Sequence, residues 1–545
     1  MPGRWSTTGT IPRCWRPGPR SMRSTDGWGS PDSRLATSAA CGHRQSPCRG
    51  GPMHDRLGAL DASLLALESP STLLHTGGVS IFGPGLDSTS VHDRLRERLP
   101  RVPRARQLLR PTPLGGKPVW IDAPAFDLSY HLRHAALPSP GTLEQLGDYV
   151  SRLIGRQLDR SYPLWELYVI KGLEGGRTAL FGKIHLVMAA EQEQEGDPFA
   201  ALLDEAPDAE EASAPRIDSE PEPPPSPLEL TVDAVRERTV AAVRLGARAG
   251  GAVRRPAQAR AAASAVATSA LGLVARAART APPSPLNRPL TRHRRFAFAY
   301  AELAQLRDVR SAYGGTINDA VVAVVGDAVG RLLRNRGYDT KDLDLRVMVP
   351  VRVEEAGTGE PLPGAHTLRE GAVGVLAPLP VMEMDPVARL YRVMGELAHL
   401  RDSGQAVAAD RLAKVAGFGP PGLHAIAARL AIGEQRYNLA LSNAPGPQSP
   451  RWLAGVPLEA SHPFIPLAGD AGLSVAVSSY AGSLCFGLLG DRRAVPDVED
   501  LAGHLHDAVV DLVAACGART RDGVHPPCPR AADGPEDEGG PDESG

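Results

Sequence analysis

One histidine lies inside an apolar run, and it is the first residue that could do chemistry. His185 comes at the end of a strand-like segment and is followed by Leu186, Val187 and Met188. An imidazole can act as a general base because its unperturbed pKa lies close to neutral pH. The alternative is a structural histidine whose ring is hydrogen-bonded at the end of a strand. Both interpretations stay open on these residues alone.

Carboxylates follow the histidine closely. Glu191, Glu193 and Glu195 belong to a polar stretch that runs to Pro198. A carboxylate there could also accept a proton, but the composition is typical of a solvated acidic loop. We therefore favour the loop interpretation.

Two other polar motifs each have a simple structural explanation. Asn318 and Asp319 follow Thr316 where a helical pattern begins, and all three residue types cap helices well. The segment 442–447 (SNAPGP) has the composition of a rigid bend. Trp165 is better suited to a core than to contact with a ligand.

Helices and strands alternate along the part of the chain that carries these residues. Apolar spacing predicts helices at 60–68, 142–159, 316–333 and 497–516, and strands at 75–82, 164–170, 179–187, 345–353 and within 473–489. The order has no regular βαβ repeat and no glycine-rich phosphate loop. We predict an α/β fold of two mixed-sheet units joined by a long helical crossover.

Composition divides the chain further. The first residues are rich in Arg, Pro, Gly and Ser without apolar periodicity, so we expect disorder there and a true start at Met53. An acidic, proline-rich stretch separates the two folded units, as a linker would. The predicted parts are a disordered extension at 1–52, an N-terminal domain at 53–203, an acidic linker and Ala/Arg-rich helical crossover at 204–285, a C-terminal domain at 286–518 and a disordered tail at 519–545.

Charge and apolar content limit the partners. A net charge of −2 over 545 residues gives no global field for nucleic acid, which we do not expect as a partner. No run of eighteen apolar residues occurs, and the scattered cysteines fit reduced cytoplasmic thiols. Residues 229–280 carry arginines among Ala, Val and Leu, which fits either peripheral contact with a membrane or lipid droplet, or an exposed crossover helix packed on the domain.

An ordered set of short motifs resembles the bacterial wax ester synthase/diacylglycerol acyltransferase family. It spans about residues 53–516, and no single motif is specific alone. The matching segments are Asp55-Arg56-Leu57, Leu60-Asp61, Leu74-His75, Gly77-Gly78, Pro163-Leu164-Trp165-Glu166, Leu286-Asn287, Arg294-Arg295-Phe296, Asn318-Asp319, Val349-Pro350-Val351, Ser442-Asn443-Ala444-Pro445-Gly446-Pro447, Ser479-Tyr480-Ala481-Gly482 and Val495-Pro496-Asp497.

The resemblance implies two domains of the acyl-CoA-dependent acyltransferase type with an active-site channel between them. It also implies transfer of a fatty acyl group from acyl-CoA, a substrate rather than a cofactor, to a diacylglycerol or a long-chain alcohol. No metal or cofactor is expected. Channel-lining or structural roles then extend to Pro163, Leu164, Trp165, Asn318 and Asp319, and in the second half to Ser442, Asn443, Pro445 and Gly446.

The family's HHxxxDG motif is altered in this chain. Aligned on Lys183, His185 takes the first histidine position and Leu186 the second, which in the family is the general base. Ala190 and Glu191 then replace the Asp and Gly. A one-residue shift would instead make His185 the base, since the following segment is one residue longer than in the family. Leucine cannot accept a proton, and loss of a general base costs about 10²–10⁴ in rate.

Three functional hypotheses remain from the sequence. The first is an O-acyltransferase that makes triacylglycerol or wax ester. The second is a catalytically impaired relative that binds acyl-CoA or lipid without turnover. A condensation-type enzyme that uses an acyl carrier is a third, but no carrier-protein or adenylation segment accompanies it.

Overall fold

Two six-stranded mixed sheets organise the part of the chain that the structure describes. The structure is a computed structural model, and it describes residues 55–113, 116–189, 199–207, 223–236, 239, 281–352, 372–402 and 437–522. The predicted start at Met53, the extension at 1–52 and residues 523–545 of the predicted tail lie outside these ranges.

The first half of the chain begins with a helix and a strand. Its helices are α1 (Ala59–Leu67), α2 (Ser88–Arg98), α3 (Leu128–His131), α4 (Leu143–Ile154) and α5 (Leu186–Ala189). Its strands are β1 (His75–Phe82), β2 (Gln107–Thr112), β3 (Gly116–Asp122), β4 (Leu132–Ala136), β5 (Trp165–Lys171) and β6 (Thr178–His185). Thr142 caps α4 through its side chain, with Gln145 completing a capping box, so the helix start agrees with the local sequence.

The second half repeats the alternation with longer helices. Its helices are α6 (Leu303–Tyr313), α7 (Ile317–Asn335), α8 (Pro386–Asp402) and α9 (Val498–Asp522). Its strands are β7 (Arg294–Glu302), β8 (Leu345–Arg352), β9 (Ala372–Leu379), β10 (Leu439–Ala444), β11 (Trp452–Leu453), β12 (Val456–Phe464), β13 (Leu473–Tyr480) and β14 (Ser483–Asp491). Residues 227–236, within the predicted crossover, are helical as well.

The second sheet has the order β7-β14-β13-β10-β8-β9. Its β13-β10 and β10-β8 pairs are parallel and its other pairs antiparallel. Helix α7 is buried along most of its length and packs with α8 and α9 in the core beside this sheet. A helix that is apolar on nearly all sides must be surrounded by other elements, as this one is.

The first sheet contains strands from both halves of the chain. Its order is β11-β12-β1-β6-β5-β4, and β12 pairs antiparallel with β1 from Gly77 opposite Phe464 to Phe82 opposite Leu458. Gly487 of β14 allows a second close approach, because a Cβ there would lie 1.8 Å from the carbonyl oxygen of Pro463. Two strands of the second half, β11 and β12, therefore complete the sheet of the first half.

These observations confirm the predicted fold class of mixed-sheet α/β architecture. The strand predicted at 179–187 ends earlier, at His185, because the Val187 amide donates to the ring of His185 instead of to a neighbouring strand. The last helix runs to Asp522, past its predicted end at residue 516 and into the predicted tail. Most of the predicted crossover lies outside the described residues, and the domain boundaries stay a prediction.

Candidate active site

His185 is the last residue of β6, and the backbone here is hydrogen-bonded to a neighbouring segment on each side. The His185 amide donates to the carbonyl oxygen of Leu164 (3.0 Å), and the Leu186 amide donates to that of Leu74 (2.9 Å). The ring Nδ1 accepts from the Val187 amide at 3.2 Å. Since Nδ1 is the acceptor, the ring proton of neutral His185 belongs on Nε2. The whole residue is 1% exposed.

A buried carboxylate lies beside the free side of this ring. Glu68 follows the last residue of α1, and its side chain is 1% exposed. Its Oε2 lies 3.7 Å from His185 Nε2, and its Oε1 lies 3.1 Å from His75 Nε2. Arg160 donates to Oε2 at 2.7 Å, and Gln157 donates to it at 3.2 Å. The negative charge is therefore compensated inside the protein, which a buried carboxylate requires.

Burial and charge fix the ionisation of this group. Burial raises the pKa of Glu68, but its contacts with His185, His75 and Arg160 lower the pKa by more than burial raises it. The carboxylate therefore stays ionised. Burial lowers the pKa of His75 to about 4, Lys183 lowers it as well, and Glu68 opposes the change. His75 is therefore neutral at neutral pH, and its ring stands edge-on to His185 with centroids 5.9 Å apart.

Leu186 differs from its neighbours in exposure. Val187 and Met188 are fully buried and His185 nearly so, whereas Leu186 is partly exposed. Among residues 185–188, Leu186 is thus the one that is partly exposed to solvent. Ala190 and Glu191, the other altered motif positions, lie outside the described residues, as do Glu193 and Glu195.

Lys183 anchors the strand that carries His185. Its ammonium group is fully buried, donates to the carbonyl oxygens of Leu153 (3.2 Å) and Arg156 (2.9 Å), and lies 3.1 Å from Glu166 Oε2. Burial lowers the pKa of Lys183, and Glu166 opposes that effect. The cation thereby satisfies carbonyl groups at the C-terminal end of α4 and ties this helix to β6.

The tripeptide that leads into β5 and includes its first residue contributes backbone and core rather than a polar surface. Pro163, Leu164 and Trp165 are all buried. The Trp165 indole donates to the carbonyl oxygen of Ala105 (2.7 Å), and its ring stacks on His131 with centroids 4.4 Å apart. Trp165 therefore lies in the core, while Leu164 supplies the carbonyl that holds the His185 amide.

The polar motifs of the second half meet each other. Asn443 on β10 donates to Asn318 Oδ1 at 3.4 Å. Asp319 completes the capping box of α7, because its side chain accepts from the Thr316 amide at 2.8 Å and its own amide donates to the Thr316 hydroxyl at 3.1 Å. Asn318 is thus left free of capping and reaches the neighbouring strand.

The bend after β10 rests on β13. The Gly446 amide donates to the Ser479 hydroxyl at 3.2 Å, and a Cβ at Gly446 would lie 2.2 Å from the Ser479 carbonyl oxygen. Only glycine permits this approach. Ser442 and Asn443 are partly exposed, and Pro445 is exposed.

Sequence reasoning placed His185, Asn318 and Asn443 in one site, and the structure brings only the last two into contact with each other. It also places His185 beside Glu68, a residue that no sequence pattern singles out. His75 was recognised only as part of a motif. The sequence did contain a signal that the two histidines are neighbours, because His75 begins one strand pattern and His185 ends another. In the antiparallel β1-β6 pair the two residues lie directly opposite each other.

Comparisons with known proteins agree over most of the described residues. A family model for the wax ester synthase/diacylglycerol acyltransferase catalytic domain matches residues 57–321, and the model for the C-terminal domain of the same family matches residues 372–512. Proteins named as diacylglycerol O-acyltransferases in Mycobacterium bovis and Mycobacterium tuberculosis are 30% identical over 478 residues, covering 84% of this chain and 96% of theirs.

A solved structure gives the same answer. The wax ester synthase/diacylglycerol acyltransferase of Marinobacter aquaeolei VT8 is 26% identical, with a TM-score of 0.59, and the match covers 85% of this chain and all of that one. Both halves and both sheets are therefore accounted for by one family. This chain belongs to the wax ester synthase/diacylglycerol acyltransferase family.

Proposed function

We propose that this protein is an O-acyltransferase that moves a fatty acyl group from acyl-CoA to the hydroxyl group of a diacylglycerol or a long-chain alcohol. The observation that carries the proposal is the family match through the catalytic and C-terminal parts, on a fold shared with a wax ester synthase/diacylglycerol acyltransferase. Acyl-CoA is a substrate here, and the reaction needs no cofactor.

We further propose that His185 supports the site and does not take the proton. Its Nδ1 is occupied by the Val187 amide, its Nε2 faces Glu68, and the residue is buried. Position 186, which is partly exposed, holds a leucine. Transfer then depends on binding and orienting the two substrates, at a rate about 10²–10⁴ below that of a site with a base.

A second candidate is a protein that binds acyl-CoA or lipid without turnover. The observation that favours it is Leu186 at the partly exposed position, because no imidazole is presented there. The comparisons favour the acyltransferase, and one assay separates the two. Purified protein would receive labelled acyl-CoA with either diacylglycerol or hexadecanol, and ester product and acyl-CoA binding would both be measured.

A His185→Asn variant tests the role of the ring. The Asn Oδ1 replaces Nδ1 as acceptor for the Val187 amide but provides no base at neutral pH. We expect the variant to keep at least about a tenth of the wild-type rate, whereas a lost general base would remove about 10²–10⁴. A loss of that size, with acyl-CoA binding intact, would identify His185 as the base. Binding without product in the wild type would support the second candidate.

We also propose peripheral contact with a lipid surface through the helix at 227–236. Leu230 and Ala234 are buried on one side of it, against the β2-β3 hairpin. On other sides Leu228, Val232 and Val235 are 73%, 57% and 51% exposed. An exposed apolar stripe followed in sequence by arginines suits the boundary of an anionic lipid surface. No helix among the described residues is long and apolar enough to cross a bilayer.

A further inference from the structure

Glu68 makes a set of contacts that stability alone does not explain well. Its carboxylate accepts hydrogen bonds from Gln157 and Arg160 and lies within 4 Å of the rings of His75 and His185, so partners from three segments of the chain meet at it. Replacing such a buried ionic group by apolar residues often leaves stability unchanged or improves it, so a specific orienting role is a better reason for its presence.

A series of contacts connects Glu68 to the turn that contains the partly exposed residue 186. Glu68 faces Nε2 of His185, the opposite nitrogen of this ring accepts from the Val187 amide, and Val187 follows Leu186 in the turn. The Leu186 amide is held by the Leu74 carbonyl oxygen, one residue before His75. His75 is itself in contact with Glu68. Glu68 thus lies beside His185, which precedes residue 186, and beside His75, which follows the residue that accepts from the Leu186 amide.

The imidazole of His185 can rotate by half a turn about its Cβ–Cγ bond unless its two nitrogens have different partners. At 3.7 Å the Glu68 carboxylate is too far from Nε2 for a hydrogen bond, but its negative charge favours the ring proton on that nitrogen, and Nδ1 is left as the acceptor for the Val187 amide. Without the negative charge, the other tautomer would place a hydrogen on Nδ1 against the Val187 N–H. Loss of that bond would free the turn that carries residue 186.

We propose that Glu68 is a positioning residue of the acyltransferase site, which acts through the His185 tautomer to fix the backbone at Leu186 and Val187. The inference rests on the proposed function for its catalytic consequence but not for its structural one. Glu68 touches no substrate in this scheme. It determines where the side chain at position 186 lies relative to the acceptor hydroxyl.

The test compares Glu68→Gln with a matched control, Glu166→Gln, in the full chain. Both are buried carboxylates next to the first sheet, but Glu166 contacts Lys183 and Arg133 instead of a histidine. Protein labelled with ¹⁵N-histidine reports the ring tautomer, and His185→Asn assigns the signals of His185. Turnover is measured in parallel, in the wild type and in a Leu186→His background.

We expect Glu68→Gln to shift the His185 ring signals and, in the Leu186→His background, to lower kcat about tenfold or more, with the KM for acyl-CoA changed less than about twofold. Glu166→Gln should leave the His185 signals in place. Unchanged His185 signals in Glu68→Gln would overturn the proposal, and so would equal losses of kcat in the two variants or moved signals with full turnover.

Two further outcomes are separable. If Glu68→Gln fails to fold, Glu68→Asp keeps the charge at a shorter reach, and the same two readouts decide. If no protein turns over, including the Leu186→His background, the proposed function fails. The His185 signals then still decide whether Glu68 fixes the tautomer.

Discussion

Replacement of Leu186 by histidine is the most informative change that this structure suggests. The Leu186 amide is held by the Leu74 carbonyl oxygen at 2.9 Å, and Leu186 is partly exposed whereas His185, Val187 and Met188 are buried. A histidine there would present an imidazole from a backbone that is already fixed. Because Leu186 is only half-buried, we expect a stability cost of about 1 kcal/mol or less.

The expected gain follows from the missing base. A positioned general base contributes about 10²–10⁴ in rate, which corresponds to about 2.7–5.4 kcal/mol of transition-state stabilisation. The gain should appear in kcat, since the new group acts on the hydroxyl proton during attack and not on acyl-CoA binding. It should also rise with pH through about 6.5, the ordinary pKa of an imidazole, because only the neutral ring accepts a proton.

The assay follows ester formation from labelled acyl-CoA and hexadecanol by the wild type, Leu186→His and Leu186→Asn. Asparagine is similar in size to leucine and polar, but it is no base, so it controls for a simple change in polarity. Two results would refute the reasoning: a Leu186→His rate no higher than wild type while acyl-CoA still binds, or an equal gain with Leu186→Asn.

Two predictions concern stability and lipid contact. Burial lowers the pKa of His462 to about 4. Between pH 6.5 and 4 the unfolded state therefore binds a proton that the folded state does not. A fall in pH over this window should lower the free energy of unfolding by about 3 kcal/mol. Thermal unfolding across this window should show a shallower pH dependence in His462→Asn, and an unchanged slope would contradict the assignment. In flotation with anionic phosphatidylglycerol vesicles, Leu228→Ser with Val232→Ser should lower the bound fraction several-fold, by removing exposed apolar area. Equal flotation of variant and wild type would exclude this helix as the contact.

The sequence was sufficient wherever local chemistry determines the structure. Thr316, Asn318 and Asp319 predicted the start of a buried helix, and α7 begins there with Thr316 as its cap. The resemblance in ordered motifs also identified the family and the mixed-sheet fold class. These signals depend on neighbours in the chain or on spacing along one element.

Contacts between distant segments could not be predicted in the same way. Residues 456–464 alternate in burial as a strand should, but nothing in them indicates that β1 is the partner. Glu68 is likewise an ordinary glutamate at a helix end until β1, β6 and Arg160 surround it. Side-chain packing that joins three separate segments has no signature in any one of them.

Strand β12 has a consequence for how the chain is made. Ser80 of β1 and Ser461 of β12 face each other across 381 residues of sequence. Because the ribosome adds about 5–20 residues per second, β12 is synthesised about 20–80 s after β1, and the edge of β1 that pairs with β12 stays unpaired during that time. During that time a nascent chain exposes an unpaired strand that could join another chain. The first half of the chain is therefore an unsuitable unit to express alone, and ribosome-associated chaperones are expected to act before the second half is complete.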